Sequence, residues 1–201
     1  MAVIGGLLFL AFVYFAVGQA AATRNGGQTA ADAAALAAAQ DAREQLRDGW
    51  LDVILDPGAW DRYLQGEEYD SERACQRAEL FASKNDAELW DTGCTALGSG
   101  EEGFRVQIRT LDVVGLPGAA KQHAVATATA VLEPRCYFDA PEPSPTTPEP
   151  SGSATPEPTP TPSPEPEPIT GLFCDGVEWT IDPDHPSLPD AAELFSVRLA
   201  D

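Results

Sequence analysis

Basic side chains are scarce in this 201-residue chain: 12 Lys and Arg stand against 32 Asp and Glu, a formal charge of −20. That much negative charge repels phosphate and argues against nucleic acid as a partner. Histidine is rarer still, His123 and His185 alone, and no two cysteines form a C-x-x-C pair, so zinc is not expected. There is no G-x-x-x-x-G-K loop, no G-x-S-x-G elbow and no G-x-G-x-x-G turn following a predicted strand. Two isolated histidines make a catalytic triad improbable. Carboxylate pairs such as Glu67-Glu68 and Glu101-Glu102 suit a solvated acidic surface, and Asp175, Asp182 and Asp184 match no EF-hand spacing. The chain is therefore expected to be no enzyme, with no cofactor, no metal and no small-molecule substrate.

Charge of either sign is missing altogether from residues 1–23, MAVIGGLLFLAFVYFAVGQAAAT, and the first ionic side chain is Arg24. Some 22 helical residues at 1.5 Å each reach about 33 Å, against a hydrocarbon core of about 30 Å. A helix buried in a protein core usually keeps a polar face, and this one has none, so membrane lipid is the expected partner of residues 2–23. Ala20-Ala21-Ala22 also satisfies the small-x-small pattern of a signal-peptidase site. A retained anchor fits better, because the run exceeds the usual signal h-region and no base precedes it. The positive-inside rule has almost nothing to act on here.

The four cysteines are Cys75, Cys94, Cys136 and Cys174. Behind an export segment they read as two disulfides, with three connectivities open; free thiols in a cytosolic protein are the alternative. Paired cysteines and a Pro/Thr-rich segment together predict an extracytoplasmic body, held by one span at the cell membrane.

Residues 24–48 are rich in alanine, and from Ala30 to Arg47 nearly every residue favours helix. Gly26-Gly27 is expected to loosen the backbone where the chain leaves the bilayer. Thr29 three residues before Asp32 makes a partial capping box. Small side chains allow other backbones to approach closely, although an ordinary Ala-rich domain helix has the same composition.

The stretch TRNGGQTAADAAALAAAQDAR directly behind an apolar helix closely resembles the start of TadE/TadG-type proteins, pilin-like assembly components of tight-adherence (Flp) pili, of the actinobacterial type. The likeness is carried by Asn25, Gln28, Thr29, Ala30, Ala31, Asp32, Ala33, Ala34, Ala35 and Leu36. A weaker likeness lies in CQRAELFASKNDAELWDTGC, residues 75–94: a cysteine-bearing helix, an Asn-x-Ala-x-Leu turn and a second cysteine before the first strand. Together they cover about the first half of the chain. Precursors of this type carry a basic leader and a prepilin-peptidase site just upstream of the apolar helix, and the first residues here, MAVIG, hold no base. The resemblance implies a role in pilus assembly or adhesion, with other pilin-like or Tad assembly subunits as partners.

The body is expected to be α+β. A short helix over 59–65 and another from Ser71, its N-cap, to Lys84 present Ala74, Ala78, Phe81 and Ala82 inward, with Cys75 beside that stripe and within reach of Cys94. The period then shifts from 3.6 to 2. Phe104, Val106 and Ile108 alternate with Arg105, Gln107 and Arg109; Val125, Thr127, Thr129 and Val131 alternate with Ala124, Ala126, Ala128 and Ala130. An alanine face on a strand lets a helix dock unusually close, and the 30–46 helix is expected to lie against it. Residues 172–181 and 194–199 supply two further strands. Helices followed by an antiparallel sheet point to a pilin-like roll.

Residues 139–168 are expected to be a disordered Pro/Glu/Thr/Ser-rich insertion, and 141–168 alone hold 12 of the 18 prolines. The insertion divides the extracytoplasmic domain into 49–138 and 169–201. A disulfide between Cys136 and Cys174 would pinch its base. A protruding display segment and a neutral low-complexity insertion both fit. The function expected from all this is a membrane-anchored pilin-like component acting by packing. The alternative is a secreted, signal-cleaved binding module with no pilus role.

Overall fold

The computed structural model describes residues 2–98, 100–114, 122–140, 167–184 and 186–200. The chain is α+β. Its first element, α1 (Ala2–Asp52), is a single helix of 51 residues, about 76 Å long at 1.5 Å per residue. A 3₁₀ turn (Pro57–Ala59) and the short α2 (Asp61–Leu64) follow, then α3 (Ser71–Lys84). The strands are β1 (Ala87–Ala96), β2 (Glu102–Val114), β3 (Gln122–Pro134), β4 (Cys136–Phe138), β5 (Ile169–Cys174), β6 (Val177–Ile181) and β7 (Phe195–Leu199); α4 (Ala191–Leu194) sits just before β7. They build two antiparallel sheets, β1-β2-β3-β7 and β4-β5-β6.

The second half of α1 is the spine of the domain. Ala30, Ala31, Ala34, Ala35, Ala38, Ala39 and Ala42 are fully buried, in one cluster with Phe104, Val106 and Ile108 of β2 and Ala128 and Ala130 of β3. The alanine face of β3 thus receives the helix, and the large β2 side chains fill the space between. α3 contributes Ala74, Ala78 and Ala82 to the same cluster, while Phe81 is only half-buried and lies under Arg77 and Lys84. A second cluster joins Leu46 and Trp50, at the far end of α1, to Trp60, Leu64, Leu172, Ile181, Leu194 and Phe195. Trp60 stands edge-on to both Trp50 and Phe138, at 5.5 and 4.9 Å between ring centres. The smaller sheet therefore closes the domain at the end remote from the apolar segment.

Several local expectations change. Gly26-Gly27 does not loosen α1; the helix runs straight through. Gly27 is there for proximity: a Cβ at this position would lie 3.3 Å from Thr110 Cγ2 and 3.6 Å from the Ala124 Cβ. Thr29 is no N-cap, since its hydroxyl donates to the Asn25 carbonyl one turn back, at 3.0 Å. Ser71 is not the cap of α3 either. Asp70 holds that position and accepts from the backbone N–H groups of Glu72 and Arg73.

The segment 87–96, expected to lead up to the first strand, is itself β1. Its pairing with β2 slips between Leu89 and Cys94, where Asp91 and Gly93 adopt positive φ, a β-bulge. Residues 172–181 are a hairpin of two strands turned at Asp175-Gly176, both at positive φ, as an Asp-Gly type I′ turn requires. Gly103, at φ +147°, has no alternative in β2, because a Cβ would fall 2.2 Å from the Ala130 carbonyl oxygen. The heart of the Pro-rich segment, 141–166, lies outside the described residues, and so does His185.

Both disulfides are present, Cys75–Cys94 and Cys136–Cys174. The first ties α3 to the bulged strand. The second joins directly paired residues of β4 and β5, on either side of the Pro-rich segment. No described cysteine is free.

Candidate functional site

Helix α1 is the feature that demands an environment. From Val3 to Val17 every large apolar side chain is exposed, from 42% for Val13 to 83% for Tyr14. They are Val3, Ile4, Leu7, Leu8, Phe9, Leu10, Phe12, Val13, Tyr14, Phe15 and Val17, and they occupy every face of the helix, since four consecutive residues already span a full turn. At about 1.5–3 kcal/mol per side chain, leaving eleven of them in water costs on the order of 20 kcal/mol. This helix is long and apolar enough to cross a membrane. An N-terminal signal segment has the same composition. The two disulfides are consistent with an oxidising, extracytoplasmic setting for the domain behind it.

The motif residues straddle the junction between the apolar half and the core half. Ala30, Ala31, Ala34 and Ala35 face the sheet and are sealed by it, and Leu36 packs at the edge of the same cluster. Asp32 and Ala33 are half-buried; Asn25, Gln28 and Thr29 are exposed. Gln28 donates to the Asp32 carboxylate at 2.7 Å, and weakly at 3.4 Å to the Thr127 carbonyl of β3. The structure therefore brings the alanines of the motif together as a docking face for the sheet. It leaves the polar residues around the outer rim, where Gln28 reaches across to the sheet. Neither group forms a chemical site.

Several polar groups elsewhere pair locally. Tyr69 donates to Glu102 at 3.1 Å; burial first, then the Glu102 charge, pushes its phenol pKa well above the ordinary value. Arg198 pairs with Glu133, and the hydrogen bond from that guanidinium holds the Glu133 carboxyl below the usual carboxylate range. Asp175 is paired to Arg135, and Asp182 accepts from the Asp184 backbone N–H at 2.9 Å. Among the described residues no group of three or more His, Cys, Asp or Glu converges on a metal-sized site. The stretch GSGEEG at 98–103 does match G-x-G-x-x-G and does follow a strand, β1. It runs into β2 instead of a helix, so it has no helix N-terminus to receive a pyrophosphate.

Sequence reasoning missed the end of the sheet nearest the apolar segment. Helix residues Val17, Ala21, Arg24 and Asn25 share an open cleft with Gln122, His123, Ala124 and Val125 at the start of β3. The signal was the strand period through residues 122–126, once extended back past the alanine face. Comparison with family models, with curated proteins and with solved structures returned no match to this chain.

Proposed function

We propose that this protein is a single-pass, membrane-anchored, pilin-like component of Flp/Tad-type pilus assembly or adhesion, with its disulfide-bonded domain outside the cytoplasm. It works by packing and display, without a chemical step. The observation that carries this is the continuity of α1. One helix offers an apolar surface on all sides over residues 3–17 and then becomes the buried spine of a sheet domain. An apolar rod fused rigidly to a folded head suits a subunit that is stored in a bilayer and can pass into a helical assembly, where neighbouring apolar rods replace the lipid. The resemblance of residues 24–43 to TadE/TadG-type proteins supplies the name of the system. The Pro-rich segment between Cys136 and Cys174 is the part displayed, and the strands that flank it, β4 and β5, lie at the end remote from the anchor.

The test is mass spectrometry of the mature N-terminus, on protein from membranes and from sheared surface material. An intact apolar segment, above all in the sheared fraction, is the expected result. A mature chain beginning near Ala22 or Thr23 would remove the anchor and leave a soluble, secreted binding module.

A further inference from the structure

We infer that the face of the β1-β2-β3-β7 sheet turned away from α1 carries a binding platform for an uncharged polysaccharide, centred on Trp90. This deepens the adhesion side of the reading above and rests on it for a setting outside the cytoplasm.

The platform follows from the strand period. Phe104, Val106 and Ile108 of β2 and Ala128 and Ala130 of β3 turn toward α1 and are buried with it. Alternate residues therefore face the other way, and among them Gln107 and Thr127 are directly paired. β1 is an edge strand of this sheet. Its bulge, with Asp91 and Gly93 at positive φ, re-aims the side chains beside it. Trp90 stands just before the bulge and is 41% exposed. Thr92, inside the bulge, donates to the Gln107 side-chain carbonyl at 3.2 Å, which joins β1 to the row. From β1 through Gln107 to Thr127 these groups cross three strands, about 10 Å, a strip long enough for a short run of sugar rings.

The indole at one end of the strip is held in place. The Arg109 guanidinium carbon lies 3.6 Å from its ring centre. Arg109 Nε donates to a Glu88 carboxylate oxygen at 2.9 Å, and the guanidinium Nη2 bonds the same oxygen. The guanidinium covers one face of the ring, so the exposure belongs to the opposite face and the edge. An aromatic fixed before binding loses little further freedom on binding.

The chemistry around the ring selects the ligand. Trp90 Nε1, Gln107 Nε2 and the Thr127 hydroxyl have no hydrogen-bond partner among the described residues. A sugar ring offers a C–H face to the open side of the indole and hydroxyls that both donate and accept. A protein partner fits less well, because the core of a protein interface is depleted of charge, whereas Glu88, Asp91 and Arg109 surround this indole. Those three sum to −1 on a chain of −20, so polyanionic glycans are repelled and uncharged ones are favoured.

The experiment takes the full chain in a detergent without a sugar headgroup. It is run through native gels containing dextran, mannan or glycol chitin, with dextran sulfate as the charged comparison. At least one uncharged polymer should retard the chain. Trp90→Ala should weaken that retardation about tenfold or more, as loss of a central aromatic anchor does. Trp90→Tyr, which keeps an aromatic face, should stay within a few-fold of wild type, and Val177→Ser, at an exposed position on β6, should change nothing. Independently of any variant, the retarding polymer should shield the wild-type chain's tryptophan emission from acrylamide, since Trp50 and Trp60 are already buried. The inference is overturned by no retardation in any uncharged polymer, or by retardation in dextran sulfate alone. It is equally overturned by retardation without shielding, or by retardation that Trp90→Ala leaves intact in a chain with wild-type circular dichroism. The mature N-terminus judges the anchor separately: an intact apolar segment with no retardation sinks the polysaccharide and spares the anchor.

Discussion

Two tryptophans in contact make opposite predictions for the same substitution. Trp50 and Trp60 are both completely buried, with ring centres 5.5 Å apart. Trp60 Nε1 donates to the Val53 carbonyl at 3.1 Å, whereas Trp50 Nε1 is buried with no hydrogen-bond partner among the described residues. Replacing either by Phe removes about 40 Å³, which at about 24 cal/mol per Å³ of cavity costs about 1 kcal/mol. Trp60→Phe also loses a hydrogen bond with a net contribution of about 0.5–1.5 kcal/mol. The Val53 carbonyl keeps the Asp56 N–H at 2.8 Å, so no larger penalty for an orphaned acceptor is added. Trp60→Phe should therefore destabilise by about 2 kcal/mol. Trp50→Phe removes an unsatisfied donor, which relieves about 1–3 kcal/mol and offsets the cavity, so its net change runs from near zero to stabilising. The assay is urea unfolding of the full chain in detergent with disulfides intact, followed by far-ultraviolet circular dichroism so that lost tryptophan emission does not confuse the midpoint. Equal losses for the two variants would refute this account of Trp50 and show that its indole N–H has a bonding partner, such as a buried water.

Excising residues 141–166 should leave the midpoint of unfolding unchanged, because Cys136–Cys174 already joins the flanking strands; a domain that no longer folds, judged by circular dichroism, would show that this segment is integral to it. Replacing both Cys136 and Cys174 by Ser should cost about 4 kcal/mol for the 38-residue separation in a chain-entropy estimate, against about 3 kcal/mol for Cys75 and Cys94 at 19 residues, and calorimetry should rank the two that way. Gly27→Leu should destabilise by about 1–3 kcal/mol through overpacking against Thr110 and Ala124. Gly26→Leu, with nothing within 4 Å of its Cβ, should instead gain a few tenths to about 1 kcal/mol of helix propensity, and denaturant midpoints of the pair measure the contrast. Tyr69 holds its proton more tightly folded than unfolded, so its contribution is complete below the unfolded phenol pKa of about 10 and is lost as pH climbs beyond it. Tyr69→Phe should flatten the fall of stability with pH in that alkaline range, read from midpoints at successive pH values.

What could be read from the residues was whatever repeats with a clear period. The uncharged run of 1–23, the alanine helix and the 104–108 and 124–130 alternations each became the element their spacing implied, and the alanine faces of helix and strand found each other. What escaped depends on single positions. β1 was hidden because its alternation is broken at Asp91 and Gly93 by a bulge. The hairpin at 172–181 read as one strand because the Asp175-Gly176 turn lies inside an apolar run. The capping signal Asp190-x-x-Glu193 was there to be found: it forms a complete capping box, with both reciprocal bonds, at the start of α4. Gly27 was read as flexible, since glycine frees the backbone wherever nothing packs on it; here the sheet packs on it. Ser71 and Asp70 both suit a cap, and adjacent candidates are separated only by backbone geometry, with Asp70 at φ −86°, ψ 100°.

The unbroken passage of α1 from apolar segment to domain core has a mechanical consequence. On the anchored reading proposed above, no linker separates the head from its anchor, and the head cannot swivel on it. A tilt of the rod in the membrane becomes an equal tilt of the sheet, and at about 76 Å the rod is a long lever. Force applied at the end remote from the apolar segment would reach those turns through one continuous helix. On that anchored reading, drawing the apolar turns into water costs on the order of 20 kcal/mol, more than the roughly 5–15 kcal/mol that holds a domain folded. A pull on the head should therefore loosen its fold before it frees the rod.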